Sequence, residues 1–200
     1  MQTTQRNATK RKGFTLIELS IVLVIIGLIV GGVLVGQDLI KAAELRATVG
    51  QVEKYNASVN TFRTKYNGIP GDLQSTTSTA FGLFATGMDG TDGLGDGDGL
   101  VEGSAGPAVN RGEALVFWRH LSDTTLVEGA FGGQLVSPGQ AHADLTSALV
   151  GNYFPAAKVG RGNYFTVNED SGVNYYMLSG FSGTPVTAAS GATTYAASLT

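Results

Sequence analysis

The chain has 200 residues, with 13 basic and 16 acidic side chains, a formal net charge of −3 and no cysteine. Its length suits one modest domain plus an extension. The charge balance offers no basic excess for nucleic acid, and the absence of thiols excludes disulfides and thiolate metal sites. Only 14% of residues are charged while 29 are glycine, so a loop-rich body containing β-structure is expected rather than a helical bundle.

Arg6, Lys10, Arg11 and Lys12 all precede Gly13, with no acid among them. A basic head on an acidic body is a topology signal. Phe14 to Gly36 is a 23-residue apolar run whose one strongly polar member is Glu18. The hydroxyls of Thr15 and Ser20 can turn back onto a helix backbone. At about 1.5 Å per residue the run reaches roughly 34 Å, enough to cross a hydrocarbon core of about 30 Å. Its basic flank should stay cytoplasmic and the rest of the chain should lie across the membrane.

A secretory signal peptide would have a shorter apolar region, about 7–15 residues, ending at an A-x-A-like site. A plain signal anchor accounts for length and charge but leaves Glu18 unexplained. A carboxylate in an apolar run is unfavourable, and its presence implies a partner in an assembly. Gly27/Gly31 and Gly32/Gly36 form G-x-x-x-G pairs that permit close helix approach; the competing reading is that glycine is simply common in membrane helices.

From Gln37 to about Lys65 the pattern turns amphipathic. Leu45, Val49, Val52, Val59, Phe62 and Tyr66 recur at mostly helical spacing, with Tyr55 near the same stripe. Lys41, Glu44, Arg46, Glu53, Lys54, Arg63 and Lys65 supply the wet face, and the C-terminal domain should cover the apolar one. The helix should stop at Asn67-Gly68-Ile69-Pro70-Gly71. Phe14 to Lys65 is 52 residues, roughly 78 Å if continuous.

Phe81-Gly82-Leu83-Phe84 follows a Ser/Thr-rich loop. Asp89, Asp92, Asp96, Asp98 and Glu102 then fall within 14 positions, interleaved with glycine. Oxygen ligands on a flexible turn suit calcium, although no register makes this an EF-hand. The alternative is a solvated acidic turn. Glu113 to Val127 reads as a second helix with Leu115, Trp118, Leu121 and Leu126 facing the core. His120, Ser122 and Asp123 are too local to form a triad and read as helix surface. With His142 the other histidine, hydrolase chemistry finds no support and no enzyme is expected. Tyr164–Val167 and Val173–Leu178 flank Asn168–Gly172 as a β-hairpin, with Tyr175 and Tyr176 on opposite faces. The tail from Thr184 to Thr200 is small and polar, with weak structure expected.

Gly13-Phe14-Thr15-Leu16-Ile17-Glu18 behind a short basic leader resembles the start of the type IV pilin and type II secretion pseudopilin superfamily. That resemblance implies cleavage after Gly13 by a prepilin peptidase, methylation of the new amino group on Phe14, and pairing of Glu18 with the amino-terminal charge of a neighbouring subunit. A paired state in a low-dielectric helix bundle fixes subunit register. Phe117-Trp118-Arg119-His120-Leu121-Ser122, Lys65-Tyr66-Asn67-Gly68-Ile69-Pro70-Gly71-Asp72 and the Gly-Asp-Gly loop resemble a pseudopilin-like subgroup. They extend the likeness over roughly residues 13–130. Many pilins carry a proline inside the first helix, whereas the first proline here is Pro70. That departure, and the lack of a disulfide-closed loop, lean towards a pseudopilin. Related pseudopilins use calcium in their loops. Members of the subgroup often run further, so the chain is either short or lacks a last strand or helix.

The fold class implied is α+β and pilin-like. It comprises a basic leader over 1–13, a transmembrane and assembly helix over 14–36, its amphipathic continuation over 37–67, and a globular domain over 68–200 with a short antiparallel sheet. The function implied is a filament subunit, the alternative being a minor or tip subunit acting as an adhesin. The partners implied are further copies in a helical filament, the prepilin peptidase, an inner-membrane assembly platform and membrane lipid. No nucleic acid is expected, and no cofactor is required beyond the candidate calcium. The location implied is the cytoplasmic membrane, single-pass with the N-terminus cytoplasmic, and a periplasmic or surface filament after assembly.

Overall fold

The apolar run and the Gly/Pro punctuation after it delimit one long helix. A computed structural model describes residues 13–85, 95–102, 112–132 and 150–180, together with the backbone of 196–198. Helix α1 runs Leu16–Tyr66. Its end is set by Asn67, which takes the left-handed conformation (φ 56°) that asparagine tolerates, while its amide still donates to the Arg63 carbonyl at 2.9 Å. Two units partition the chain, Met1–Ala43 and Glu44–Thr200, and α1 contributes to both.

In the first unit the large apolar side chains from Phe14 to Val35 are all exposed. Among the described residues α1 is the one helix long and apolar enough to cross a membrane. Ser20 Oγ donates to the Ile17 carbonyl at 2.9 Å, so its hydroxyl is satisfied without water.

In the second unit α1 buries Tyr55, Val59, Phe62 and Tyr66, the expected i, i+4, i+7, i+11 stripe. The cover reaches less far than the sequence suggests. Val52 is partly buried, but Leu45 and Val49 are each 58% exposed although they continue the same stripe. The segment that meets this part of α1 arrives at Gln51, and among the described residues the apolar side chains of the turns before it stay uncovered.

Helix α2, Ser75–Ala80, replaces the expected Ser/Thr-rich loop. Two of its hydroxyls return to the backbone, Thr79 Oγ1 donating to the Ser75 carbonyl at 2.7 Å and Ser78 Oγ to the Leu73 carbonyl at 3.4 Å. Helix α3, Glu113–Asp123, is buried on nearly every side: Ala114, Leu115, Val116, Phe117, Trp118 and Leu121 are all 2% exposed or less. A helix buried over so much of its surface belongs inside a core, and only Arg119, Ser122 and Asp123 near its end reach towards solvent. It stops short of the expected Val127 because Thr124 Oγ1 takes the His120 carbonyl at 2.8 Å and Thr125 turns left-handed (φ 58°). Leu126 and Val127 then fold back, both donating to the Leu121 carbonyl. Leu126 still packs against the core, from this return rather than from the helix.

Strands β1 (Asn163–Asp170), β2 (Val173–Gly180) and β3 (Ala196–Ser198) form an antiparallel sheet in that order. The hairpin is tighter than expected. Ser171 and Gly172 alone make the turn, both with positive φ, the two-residue geometry that matches strand twist. Asn168, Glu169 and Asp170 are therefore strand, not loop. Tyr176 is 1% exposed and packs into the core while Tyr175 lies on the other face, as alternation requires. The tail expected to be weakly structured contributes β3, at Tyr175–Met177 of β2. The core joins α1, α3 and the hairpin through an aromatic cluster. Trp118 has its ring centroid 4.8 Å from that of Tyr55, and Phe165 approaches Tyr55 at 5.4 Å.

Residues 155–158 are fixed on two sides at once. The Pro155 carbonyl accepts from Phe165 and the Ala157 amide donates to Asn163, both at 2.9 Å, which pairs this segment with β1. The alternate groups face α1, where the Gln51 amide donates to the Ala156 carbonyl at 2.8 Å and accepts from the Lys158 amide at 3.0 Å. One side-chain amide thus acts as a strand neighbour and ties the helix to the sheet edge.

Candidate functional site

Two stations bear on function, one in each unit, and they are treated separately.

The first is the start of α1. Gly13 and Phe14 precede the helix, and Phe14 is 89% exposed. Thr15 is the N-cap residue and Glu18 stands three positions later. The Thr15 amide and hydroxyl both donate to Glu18 Oε2 at 2.8 Å, and the Thr15 hydroxyl accepts from the Glu18 amide at 3.3 Å. This reciprocal arrangement is a capping box. Glu18 therefore has a role inside a single chain, correcting the expectation that its presence makes sense in an assembly alone. The S/T-x-x-E spacing is itself the signal for such a cap. The carboxylate also lies at the positive end of the helix dipole, which favours it. The leader residues Arg6, Lys10, Arg11 and Lys12 lie outside the described residues.

The second station is the acidic segment. Asp89 and Asp92 lie outside the described residues, as does His142. Asp96, Asp98 and Glu102 are described, but they do not gather with one another. Asp98 Oδ1 accepts from the Leu100 amide at 2.8 Å and so closes a local turn. Glu102 contributes its backbone, exchanging hydrogen bonds with Glu113 at 2.8 and 3.1 Å. Asp96 instead joins Asp72 and Glu113, with one oxygen from each lying within 4.8 Å of the others. Asp72 and Glu113 are buried and Asp96 is exposed, so the cluster opens to solvent on the Asp96 side.

Several side chains hold the segment's backbone in place. Asp72 accepts from the Gly97 and Gly99 amides, both at 2.8 Å, one on each oxygen. Gln74 pairs with Gly95 as an isolated parallel bridge and donates to the Asp96 carbonyl at 2.9 Å. Asn174 on β2 accepts from Val101 at 2.7 Å and donates to the Gly99 carbonyl at 2.9 Å. Gly95 has no room for a side chain, since a Cβ there would collide with the Asp72 backbone.

Burial pushes the Glu113 carboxyl up to about 8, helped by the charges of Asp72, Asp96 and Glu102 and opposed by the Glu102 amide. Burial also raises Asp72, against the pull of the Gly97 and Gly99 amides. A buried carboxyl pair of this kind holds either a proton or a cation near neutral pH. Three hard oxygen donors at this spacing fit calcium, which accepts irregular oxygen coordination. Neither Asp72 nor Glu113 belonged to the expected set. They are 41 positions apart in the sequence and meet through the fold alone.

His120, expected on the helix surface, is 1% exposed. Its Nδ1 accepts from the Gly71 amide at 3.0 Å and its Nε2 lies 2.7 Å from the Phe84 carbonyl. The residue is a structural tie, and α3's near-complete burial explains why a polar ring at this position faces inward.

Residues 8–34 match the family model described as the prokaryotic N-terminal methylation motif. No curated protein and no solved structure matches the chain. The matched stretch spans Gly13-Phe14 and the capping pair Thr15 and Glu18, and it continues into the membrane-length apolar helix. That motif and that helix support a prepilin-type protein resembling the type IV pilins and pseudopilins.

Proposed function

We propose that the chain is a structural subunit of a helical filament, of the type II secretion pseudopilus or type IV pilus-like kind. The observation that carries this reading is the methylation motif set at the head of an exposed, membrane-length apolar helix. The family of that motif is structural rather than catalytic. The precursor waits in the cytoplasmic membrane as a single-pass protein with its basic leader inside. A prepilin peptidase cuts between Gly13 and Phe14, and Phe14 receives a methyl group on its new amino nitrogen. Glu18 then pairs with the amino-terminal charge of a neighbouring copy, and an inner-membrane assembly platform draws the helix out of lipid. Co-expression with a prepilin peptidase tests the first step. Mass spectrometry is expected to show loss of residues 1–13 and one added methyl group on Phe14; an unchanged mass overturns the reading.

The second part of the proposal is that Asp72, Asp96 and Glu113 hold calcium and fasten the acidic segment. The cluster is expected to bind more tightly as pH rises through about 8, where Glu113 releases its proton. Without metal the sign is the reverse for stability. A carboxyl raised from about 4.5 to about 8 stabilises the fold fully below the lower value and loses that contribution as pH rises through the upper one. At a hundredfold excess over its dissociation constant calcium should add about 2.7 kcal/mol to the stability of the full chain. The fluorescence of Trp118, the one tryptophan in the sequence, reads this directly. Glu113→Gln should abolish the calcium shift while making the metal-free chain less sensitive to alkaline pH. A melting midpoint that calcium leaves unmoved overturns the proposal.

A further inference from the structure

We propose that His120 is a proton-operated latch, and that uptake of one proton there releases the Gly71 turn together with the acidic segment held by Asp72. The two ring nitrogens have opposite roles. Nδ1 accepts from the Gly71 amide at 3.0 Å, and Nε2, 2.7 Å from the Phe84 carbonyl, must carry the hydrogen. A neutral ring in this tautomer satisfies both contacts. A protonated ring cannot, because Nδ1–H would then point at the Gly71 N–H and two donors would face each other.

The turn cannot adjust by moving inward. Gly71 has φ +90°, and the space where a side chain would begin lies 2.5 Å from the Glu113 carbonyl and 3.2 Å from the Phe117 amide. Relief of the donor clash therefore requires the turn to move away from α3. The next residue is Asp72, whose two oxygens carry the Gly97 and Gly99 amides. Displacing the turn pulls on both, which couples the ring to the acidic segment through one peptide bond.

Among the described residues, no anion faces the ring without a competing partner. α1 offers the face of Phe62, nearly parallel to the imidazole with centroids 5.9 Å apart, and beyond it Tyr66, with Arg63 on the exposed side. The turn brings Asp72, which is committed to the two glycine amides. Residues 81–85 bring no titratable group. α3 brings Asp123 and Arg119, which pair with each other at 3.3 Å and act on the ring in opposite senses. Burial, the dominant influence, holds the imidazole below its ordinary value. A group depressed in the folded state gives its full stabilisation above its unfolded value of about 6.5, and that stabilisation is lost as pH falls through the folded value. Glu113 acts in the opposite direction over its own window, so the two are separable by sign.

The test uses the full chain in detergent micelles with divalent cations chelated. One extra proton bound by the unfolded state should lower the Trp118-detected melting midpoint by about 3–5 °C per pH unit on the acid side of about 6.5. His120→Gln should remove that slope. In the unsubstituted chain, hydrogen exchange at the Gly71, Gly97 and Gly99 amides should rise together, by about tenfold per pH unit relative to the β1–β2 amides. That measurement needs no variant and so does not depend on the glutamine chain folding. The latch is overturned if the acid slope persists in His120→Gln, if the unsubstituted chain shows no slope, or if Gly71 opens without Gly97 and Gly99. It stands on geometry inside the domain, so its failure leaves the filament proposal untouched.

Discussion

Glu18→Ala is expected to leave cleavage at Gly13-Phe14 intact and to reduce incorporation into filaments to background. Two physical losses are combined in that substitution. The alanine removes the carboxylate proposed to meet a neighbour's amino-terminal charge, and it also removes the acceptor that holds the Thr15 amide and hydroxyl. Glu18→Gln separates them. A glutamine at this position can still close the capping box, yet it carries no charge. If charge pairing governs assembly, both variants are processed and neither assembles. If glutamine assembles as well as glutamate, the residue acts as a helix cap and the pairing proposal falls. Sheared filaments quantified against the processed membrane pool give the readout.

Gly71→Ala is the second large effect, on stability rather than assembly. An alanine at φ +90° is strained whatever surrounds it. Here it would also press on the Glu113 carbonyl and the Phe117 amide at the start of α3. The loss should be about 3 kcal/mol or more, a fall of roughly 6–12 °C in the Trp118-detected midpoint. Gly160→Ala is the control. Its φ of +71° is also left-handed, but open space surrounds it, so it should lose about 1 kcal/mol from strain alone. Equal effects at the two positions would mean that the packing of the turn against α3 contributes nothing.

Much of this architecture is legible because it is local. The apolar run, its basic flank and the Asn67–Gly71 stop define α1 without reference to the rest of the chain. Alternation around Ser171-Gly172 does the same for the hairpin, with an error of three residues per turn that comes from underestimating how tight a Ser-Gly turn can be. The capping box is equally local, since Thr15 and Glu18 stand at the required spacing, but an apolar context draws attention to the unfavourable charge and away from the donor beside it. What the sequence hides is contact at long range. Asp72, Asp96 and Glu113 are strung over 42 positions, and local acid density points to Asp98, whose carboxylate closes its own turn, and to Glu102, whose backbone pairs with Glu113. His120 is hidden for a related reason. Its role depends on Gly71 and Phe84, 49 and 36 residues away, and on α3 being enclosed rather than lying on the surface.

The doubly held segment 155–158 also bears on how copies of this chain can join. A β-sheet edge with free amides and carbonyls is a ready template for another chain's strand. At Asn163–Phe165 that template is already filled from within, by a segment whose other side is sealed by Gln51. Along this stretch the domain has nothing to offer a runaway cross-β stack. In the filament proposed above, growth falls instead to the bare apolar length of α1, where membrane lipid competes with a sister helix for the same surface.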